Sequence, residues 1–345
     1  MWVSKKNLLH AKSCKSYFTK TTNAIGEKEI EYKNGYHIYK WCKQYLNALD
    51  FTVMRFWVVK KDHQGMKRGQ KIMSHKKMQQ FTSNGGKVRE IRCFKKETRK
   101  AMRKLINELD IKGKYSHGFT NNRDIFTQME KLAQFSLRRN FNTSVASIDL
   151  KDAFSQITQE QIYCIFRFIF KLNKKDSTRL AEINCINGRL FQGNTIAPLL
   201  FNLWFSRVHN IIHKQQENNM ILTNYADDLT LITLYESMSY RYLRFIMKVI
   251  KTCGFEINRE KLKIYSGRNL EATGLQWKCN KHGNWRVYPR SQRKLKNSIR
   301  LWEYLESIGI TNSLRKNVLG QFIEISQIIN GLKNWEHRCS DFQPI

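Results

Sequence analysis

The sequence is poor in proline, poor in acids and without paired cysteines. Three prolines in 345 residues leave no room for a Pro-rich linker, so one large or two moderate domains are expected. Eight cysteines are scattered singly with no CxxC pair, which excludes a disulfide scaffold. Cys279 and His282 with His337 and Cys339 do not make a usual zinc set, because the second pair is too close together. No signal peptide and no long apolar run is present, so the expectation is a cytoplasmic protein with reduced thiols and no membrane partner. Acids are the largest deficit: 28 Asp+Glu stand against 61 Lys+Arg, a net charge of +33. Solubility does not require such a field, whereas a polyanion does, because cations displace the counterions condensed on phosphates. The apolar (41%) and aromatic (12%) fractions are those of a folded protein.

Patterning along the chain predicts alternating strands and helices followed by a helical tail, an α/β or α+β region with a small appendage. Residues 36–59 mix aromatics and aliphatics at helix-like spacing, and residues 60–77 read as a basic loop. A hairpin is expected with strands at 79–82 and 87–94 around Asn84-Gly85-Gly86. Helices are expected at 97–109, 159–172, 198–215 and 237–253. Strands are expected at 145–150 and 229–234, and a second hairpin at 275–279 and 285–288. Two further helices are expected between Ser291 and Trp335, separated at Gly309.

Two short segments carry the chemistry. In Ser147-Ile148-Asp149-Leu150-Lys151-Asp152 an apolar strand ends on an acid, which places that acid at a sheet edge facing a groove. In Asn224-Tyr225-Ala226-Asp227-Asp228-Leu229 two adjacent acids occupy a tight turn between apolar strands. Adjacent carboxylates repel each other and are costly in apolar surroundings unless a cation neutralises them. Mg2+ suits them, with hard oxygen ligands and places left for phosphate oxygens, and two such ions form the clamp of in-line phosphoryl transfer.

Tyr225-Ala226-Asp227-Asp228 resembles the catalytic turn of reverse transcriptases. Asp149-Leu150-Lys151-Asp152-Ala153-Phe154 is similar to the first catalytic motif of that family. Gln192-Gly193-Asn194-Thr195-Ile196-Ala197-Pro198 resembles its QGxxxSP motif, with alanine where serine is usual. The segment from Gly254 to Lys261 is similar to the motif that ends on a lysine. All four occur in the family's order, between about residue 85 and residue 290.

The resemblance implies an α+β right-hand polymerase fold. It divides the chain into an N-terminal extension and start of fingers (1–80), a fingers and palm core (81–270), and a primer-grip hairpin with helical thumb (271–345). It implies an RNA-directed DNA polymerase using two Mg2+ ions, with Mn2+ as a substitute, held by Asp149, Asp227 and Asp228. Lys261 would protonate the leaving pyrophosphate. Asp152 and Ala153 would cradle the triphosphate through their backbone, Lys87 and Arg89 would grip it from the fingers, and Gln192 and Gly193 would contact nucleotide and template. Phe154 would exclude a ribose 2′-hydroxyl, which makes the product DNA and the substrates dNTPs. Arg290, Arg293, Lys296 and Arg300 recur on one helical face opposite an apolar one, as a thumb helix along a template–primer duplex requires.

The length leaves room for fingers, palm and thumb but not for a maturase, endonuclease or RNase H domain. Compact bacterial enzymes of the retron and phage-defence type are therefore expected. Ser116-His117-Gly118-Phe119 with Arg123-Asp124-Ile125 resembles the segment before the first motif in bacterial enzymes, and Ala272-Thr273-Gly274 resembles the Val-Thr-Gly triplet of retrons. The retron Asn-Ala-x-x-His motif is absent near Thr127 to Lys131. A related defence-associated enzyme copying its own small structured non-coding RNA is the favoured reading, with an effector protein or a second copy of the chain as further partners. The alternatives are untemplated or protein-primed DNA synthesis, a group II intron-derived enzyme, and an RNA-binding scaffold without catalysis.

Overall fold

The structure, a computed structural model, describes residues 28–109, 111, 115–120, 123, 125–137, 143–216, 219–234, 240–266, 269–272, 275–279 and 285–289. Its centre is an antiparallel sheet built from β4 (Ser144–Asp149), β7 (Met220–Tyr225), β8 (Asp228–Thr233) and β9 (Lys263–Ser266), in the order β7-β8-β4-β9. The central strands β4 and β8 are largely buried on both faces, because helices cover both. On one side α7 (Ala197–Gln216) and α8 (Tyr240–Thr252) bury Phe201, Phe205, Ile246 and Ile250 against Ala146, Ile148, Leu222 and Leu231. On the other, α4 (Ile125–Leu137) packs Met129 and Leu132 onto Val145, Ile221 and Ile232.

A second antiparallel sheet, in the order β2-β1-β3, consists of β1 (Val53–Val59), β2 (Lys71–Ile72) and β3 (Val88–Phe94), with α2 (His75–Ser83) between β2 and β3. It has its own small core of Trp57, Val59, Ile72 and Phe81. Flanking it, α1 (Lys28–Tyr45) and α3 (Lys96–Glu108) are joined by the Trp41 indole, which donates to the Ala101 carbonyl at 3.0 Å. Between β4 and α7 lie α5 (Gln159–Cys164), which continues as a π-helical turn (Ile165–Ile169), α6 (Lys174–Ile183), and the small hairpin β5 (Cys185–Ile186) and β6 (Arg189–Leu190). A last sheet contains β10 (Asn269–Ala272), β11 (Leu275–Cys279) and β12 (Trp285–Pro289).

Three expectations fail in the region of the second sheet, the first being the loop at 60–77, which holds β2 and the start of α2. Residues 79–82 form no strand but lie inside α2, and β3 pairs instead with β1, Val53 opposite Phe94 through Val59 opposite Val88. Asn84-Gly85-Gly86 therefore closes a helix; the positive φ that recommends Asn-Gly for a hairpin also ends helices. The helical reading of 36–59 holds only to Tyr45, because Val53–Val59 is a run of β-branched and aromatic residues that completes the sheet. The second expected hairpin is present, with Leu275 opposite Pro289 and Cys279 opposite Trp285. The helices expected at 291–335 lie outside the described residues.

Candidate active site

The two acidic segments meet because β4 and β8 are direct neighbours. Their register sets Asp149 opposite Asp228, so both side chains leave the same face at the same end of the sheet. Asp227 occupies the turn between β7 and β8, next to Ala226, whose φ is +53°. Beyond Asp149 the chain passes through Asp152, with φ +44°, into a short 3-10 turn, Ala153–Gln156. The segment after α8 runs back along the end of β4: the Lys151 amide donates to the Glu256 carbonyl (2.9 Å) and the Asn258 amide to the Asp149 carbonyl (2.8 Å). This pairing brings the Lys261 Nζ to 2.9 Å from Asp149 Oδ2.

Asp149, Asp152, Asp227 and Lys261 line one open cleft of about 670 Å³, enough for a nucleotide. The lining includes Asp149, Asp152, Ala153, Phe154, Asp227 and Lys261 from the central sheet and the segments beside it, and Arg89, Glu90 and Arg92 from β3 with Lys60 just after β1. Arg189 and Gln192 come from the small hairpin and the loop before α7, Arg189 donating to the Gln156 carbonyl. The central sheet and its flanking segments thus contribute most of the carboxylates, and the second sheet contributes Lys60, Arg89 and Arg92. That is the polarity required to hold a polyphosphate between bound cations and basic side chains. Glu90 accepts hydrogen bonds from Arg92 Nε and from Arg55 Nη2 (2.6 Å). Burial opposes its charge, but the two guanidinium groups hold its carboxyl below the usual range.

The Arg92 amide donates to the Gln192 carbonyl at 3.0 Å, joining the second sheet to the loop before α7. Gly193 makes that approach possible: its φ is +96°, and a Cβ there would lie 2.4 Å from the Arg92 carbonyl oxygen. Replacing Gly193 with alanine is expected to cost about 2 kcal/mol or more of stability, seen as a lower urea midpoint. In this structure Gly193 is a packing residue, while Gln192 lines the cleft.

Of the residues expected from sequence, Asp149, Asp152, Ala153, Phe154, Arg89, Gln192, Asp227 and Lys261 line the cleft together. Asp228 is exposed beside it, in register with Asp149. Lys87 is exposed outside the lining, and its carbonyl accepts from the Lys60 amide at 2.8 Å. Lys60 is the lysine at the cleft, and Arg92 and Arg189 are further cations that sequence reasoning missed. Nothing in the run Val58-Val59-Lys60-Lys61 separates one lysine from its neighbour until β1 ends at Val59. Arg290, Arg293, Lys296 and Arg300 lie outside the described residues.

Among the described residues no three acidic, histidine or cysteine side chains converge tightly enough to hold a metal by themselves. The donor set still fits Mg2+, which characteristically takes one or two carboxylates and completes its shell with water and substrate phosphates. The cationic Lys261 ammonium on Asp149 Oδ2 shows that this carboxylate attracts positive charge into the cleft.

Behind the turn, burial pushes His117 and His209 down to about 3, assisted at His117 by Arg123 and Lys131 and at His209 by His213. Both are neutral in the fold, whereas the ordinary histidine value is 6.5. The unfolded chain therefore binds more protons below that value, and stability is lost as pH falls from about 6.5 toward 3. Unfolding in urea at pH 5 rather than pH 7 should show a loss of about 2 kcal/mol per histidine, and His117→Gln should flatten the slope.

A family model described as reverse transcriptase (RNA-dependent DNA polymerase) matches residues 75–299. The retron Ec86 reverse transcriptase of Escherichia coli is 31% identical over 133 residues, covering 38% of this chain and 41% of that protein. The retron Se72 reverse transcriptase of Salmonella heidelberg is 22% identical over 223 residues, covering 61% and 56%. The chain thus spans about half the length of the curated relatives it matches. Among solved structures, apo telomerase from Candida tropicalis, truncated from its C-terminal domain, aligns over 56% of this chain and 45% of its own, with 16% identity and a TM-score of 0.39. Telomerase from the same organism with a fragment of telomeric RNA aligns over 71% and 47%, with 13% identity and a TM-score of 0.42. Among the described residues no helix is long and apolar enough to cross a membrane.

Proposed function

The chain belongs to the reverse transcriptase family, and from that premise we propose that it is an RNA-directed DNA polymerase that copies a small structured non-coding RNA in bacterial anti-phage defence. Its fold is the family's α+β right-hand polymerase fold. The observation that carries the proposal is the cleft in which Asp149 and Asp227, with Asp228 in register beside them, face Lys60, Arg89 and Arg92. The similarity to two retron enzymes supports a retron-type setting. The net charge of +33 suits an RNA partner whose phosphates run well beyond the cleft.

Asp149, Asp227 and Asp228 would hold two Mg2+ ions, which neutralise the charge that builds on the phosphates during transfer. The residues of the chain do the rest. Lys60 and Arg89 bind the outer phosphates, and the backbone at Asp152 and Ala153 supports them from below. Arg92, fixed by Glu90 and by its bond to the Gln192 carbonyl, keeps the fingers wall at its distance from the floor. Phe154, half-buried with its ring 5.7 Å from Phe201, closes the cleft on the sugar side. The primer 3′-hydroxyl, giving up its proton to solvent, would attack the α-phosphorus as the bond to the pyrophosphate oxygen breaks.

Lys261, whose ammonium lies 2.9 Å from Asp149 Oδ2, would deliver a proton to the departing pyrophosphate. Replacing it with methionine should lower the rate of nucleotide addition about 100-fold in single-turnover assays, with dNTP affinity little changed. Lys261→Arg should recover only the part due to charge, because arginine does not release its proton.

The direct test of the proposal is incorporation of dNTPs on an RNA template with Mg2+, together with sequencing of the nucleic acid that copurifies. One abundant structured RNA with complementary DNA is the expected result. Incorporation without template, or a product covalently attached to a tyrosine, would replace this reading with untemplated or protein-primed synthesis.

A further inference from the structure

Behind the catalytic turn lies a layer of buried polar side chains for which nucleotide chemistry has no direct use. At its centre is Asn224, fully buried near the end of β7. All four hydrogen-bonding positions of its carboxamide are filled. Oδ1 accepts from Ser116 Oγ (2.8 Å) and from His209 Nε2 (2.8 Å); Nδ2 donates to Asn202 Oδ1 (3.1 Å) and to the Ala226 carbonyl (3.0 Å). Because the Ala226 carbonyl can only accept, the amide has a single consistent orientation.

The bond to Ala226 spans the one residue of the turn in a left-handed conformation. Ala226 has φ +53°, unfavourable for a residue with a Cβ, and the next residue is Asp227. Such a conformation persists only when its surroundings determine it. The surroundings are specific here. Asn202 Nδ2 also donates to the Gly118 carbonyl at 2.6 Å. Gly118 packs so closely on the turn that a Cβ there would lie 2.7 Å from the Ala226 nitrogen. The segment leading to it pairs with β7: the His117 amide donates to the Asn224 carbonyl (2.8 Å), and the Asn224 amide to the Tyr115 carbonyl (3.1 Å). The His209 ring is itself held edge-on by Phe205, with centroids 5.2 Å apart.

We propose that Asn224, with Asn202, Ser116 and His209, is a positioning device that locks the Ala226–Asp227 peptide, so that Asp227 faces the cleft before cation and nucleotide arrive. None of the four is a catalytic residue. Their effect passes through the turn, and preorganising a ligand's backbone is worth most where small displacements are costly. The inference rests on the reading of Asp227 as a cation-binding residue.

The discriminating variant is Asn224→Asp. It keeps the shape and the Oδ1 partners but sets an acceptor against the Ala226 carbonyl. Its kcat for dNTP addition should fall about tenfold or more, while dNTP KM and template–primer Kd stay within about twofold. Independently of turnover, Mn2+ binding followed by the electron paramagnetic resonance of the free ion should weaken about tenfold, as expected when support behind a metal ligand is lost. Ser116→Ala, which removes one Oδ1 partner and spares the bond to Ala226, should show a smaller loss in both readouts. Wild-type kcat and Mn2+ binding in a folded Asn224→Asp protein would overturn the proposal, as would a loss in Ser116→Ala equal to that in Asn224→Asp. Should Asn224→Asp not fold, Asn202→Ala serves in its place; unweakened Mn2+ binding there would also overturn it. The assignment of Asp227 has its own control in the variant carrying Asp227→Ala and Asp228→Ala, which should lose activity whatever becomes of Asn224.

Discussion

Replacing Asp227 and Asp228 together with alanine is expected to lower dNTP incorporation at least ~1000-fold, a loss of about 4 kcal/mol of transition-state stabilisation. Asp227 lines the cleft and Asp228 stands in register with Asp149. On the proposed assignment, Asp149 alone of the three acids would be left to hold cations against the triphosphate. The cationic wall of Lys60, Arg89 and Arg92 is untouched, so template–primer and dNTP binding should change far less than the rate. The loss of stability should be small beside the loss of rate, because Asp227 is only half-buried and two like charges are removed from one turn. Primer extension on an RNA template, with fluorescence anisotropy for binding and a thermal melt for folding, separates the effects. Activity within tenfold of wild type in a folded variant would refute the catalytic assignment. Asp149→Asn should show the same loss and would in addition leave the Lys261 ammonium without the carboxylate now 2.9 Å away.

What could be read from the sequence follows from how local each signal is. β4 and β8 are short apolar runs closed by acids, and α7 is a long apolar helix with Pro198 in its first turn, so their type and place were legible. Between residues 36 and 94 local signals had more than one meaning. Asn84-Gly85 suits a hairpin or a helix end, and only the pairing of β3 with β1 decides between them. The apolar run of β1 could continue a helix until its partners are known. Within the cleft, Asp149, Asp227 and Phe154 sit in contiguous motifs, whereas Lys60 and Arg92 reach it through sheet geometry that spacing does not encode. The buried layer around Asn224 was the least legible feature. Ser116 and Asn224 are 108 residues apart, and polar residues of these types ordinarily indicate surface or turn. Only their convergence on one amide reveals a shared task.

Replacing Phe154 with alanine should convert the sugar selectivity of the cleft. The ring lines the floor directly after Ala153, and its edge-on partner Phe201 is fully buried in the helix behind it, so the ring has little freedom to retreat. On the proposed assignment, a ribose 2′-hydroxyl arriving at that wall would meet the carbon face or edge of the ring. Discrimination of this kind is repulsive rather than attractive. Removing the obstacle should therefore leave dNTP addition within a few-fold and raise kcat/KM for ribonucleotides about 100-fold, near the upper range for shape selection in a pocket. The cost in stability should be modest for an aromatic truncation, about 2 kcal/mol, because Phe154 is only half-buried. Phe154→Tyr should retain the block, since it keeps the ring. Single-nucleotide incorporation with matched dNTP and rNTP pairs on one RNA template measures the ratio. Unchanged ribonucleotide exclusion in Phe154→Ala would mean that selectivity is set elsewhere in the cleft, with the wall at Gln192 the next place to look.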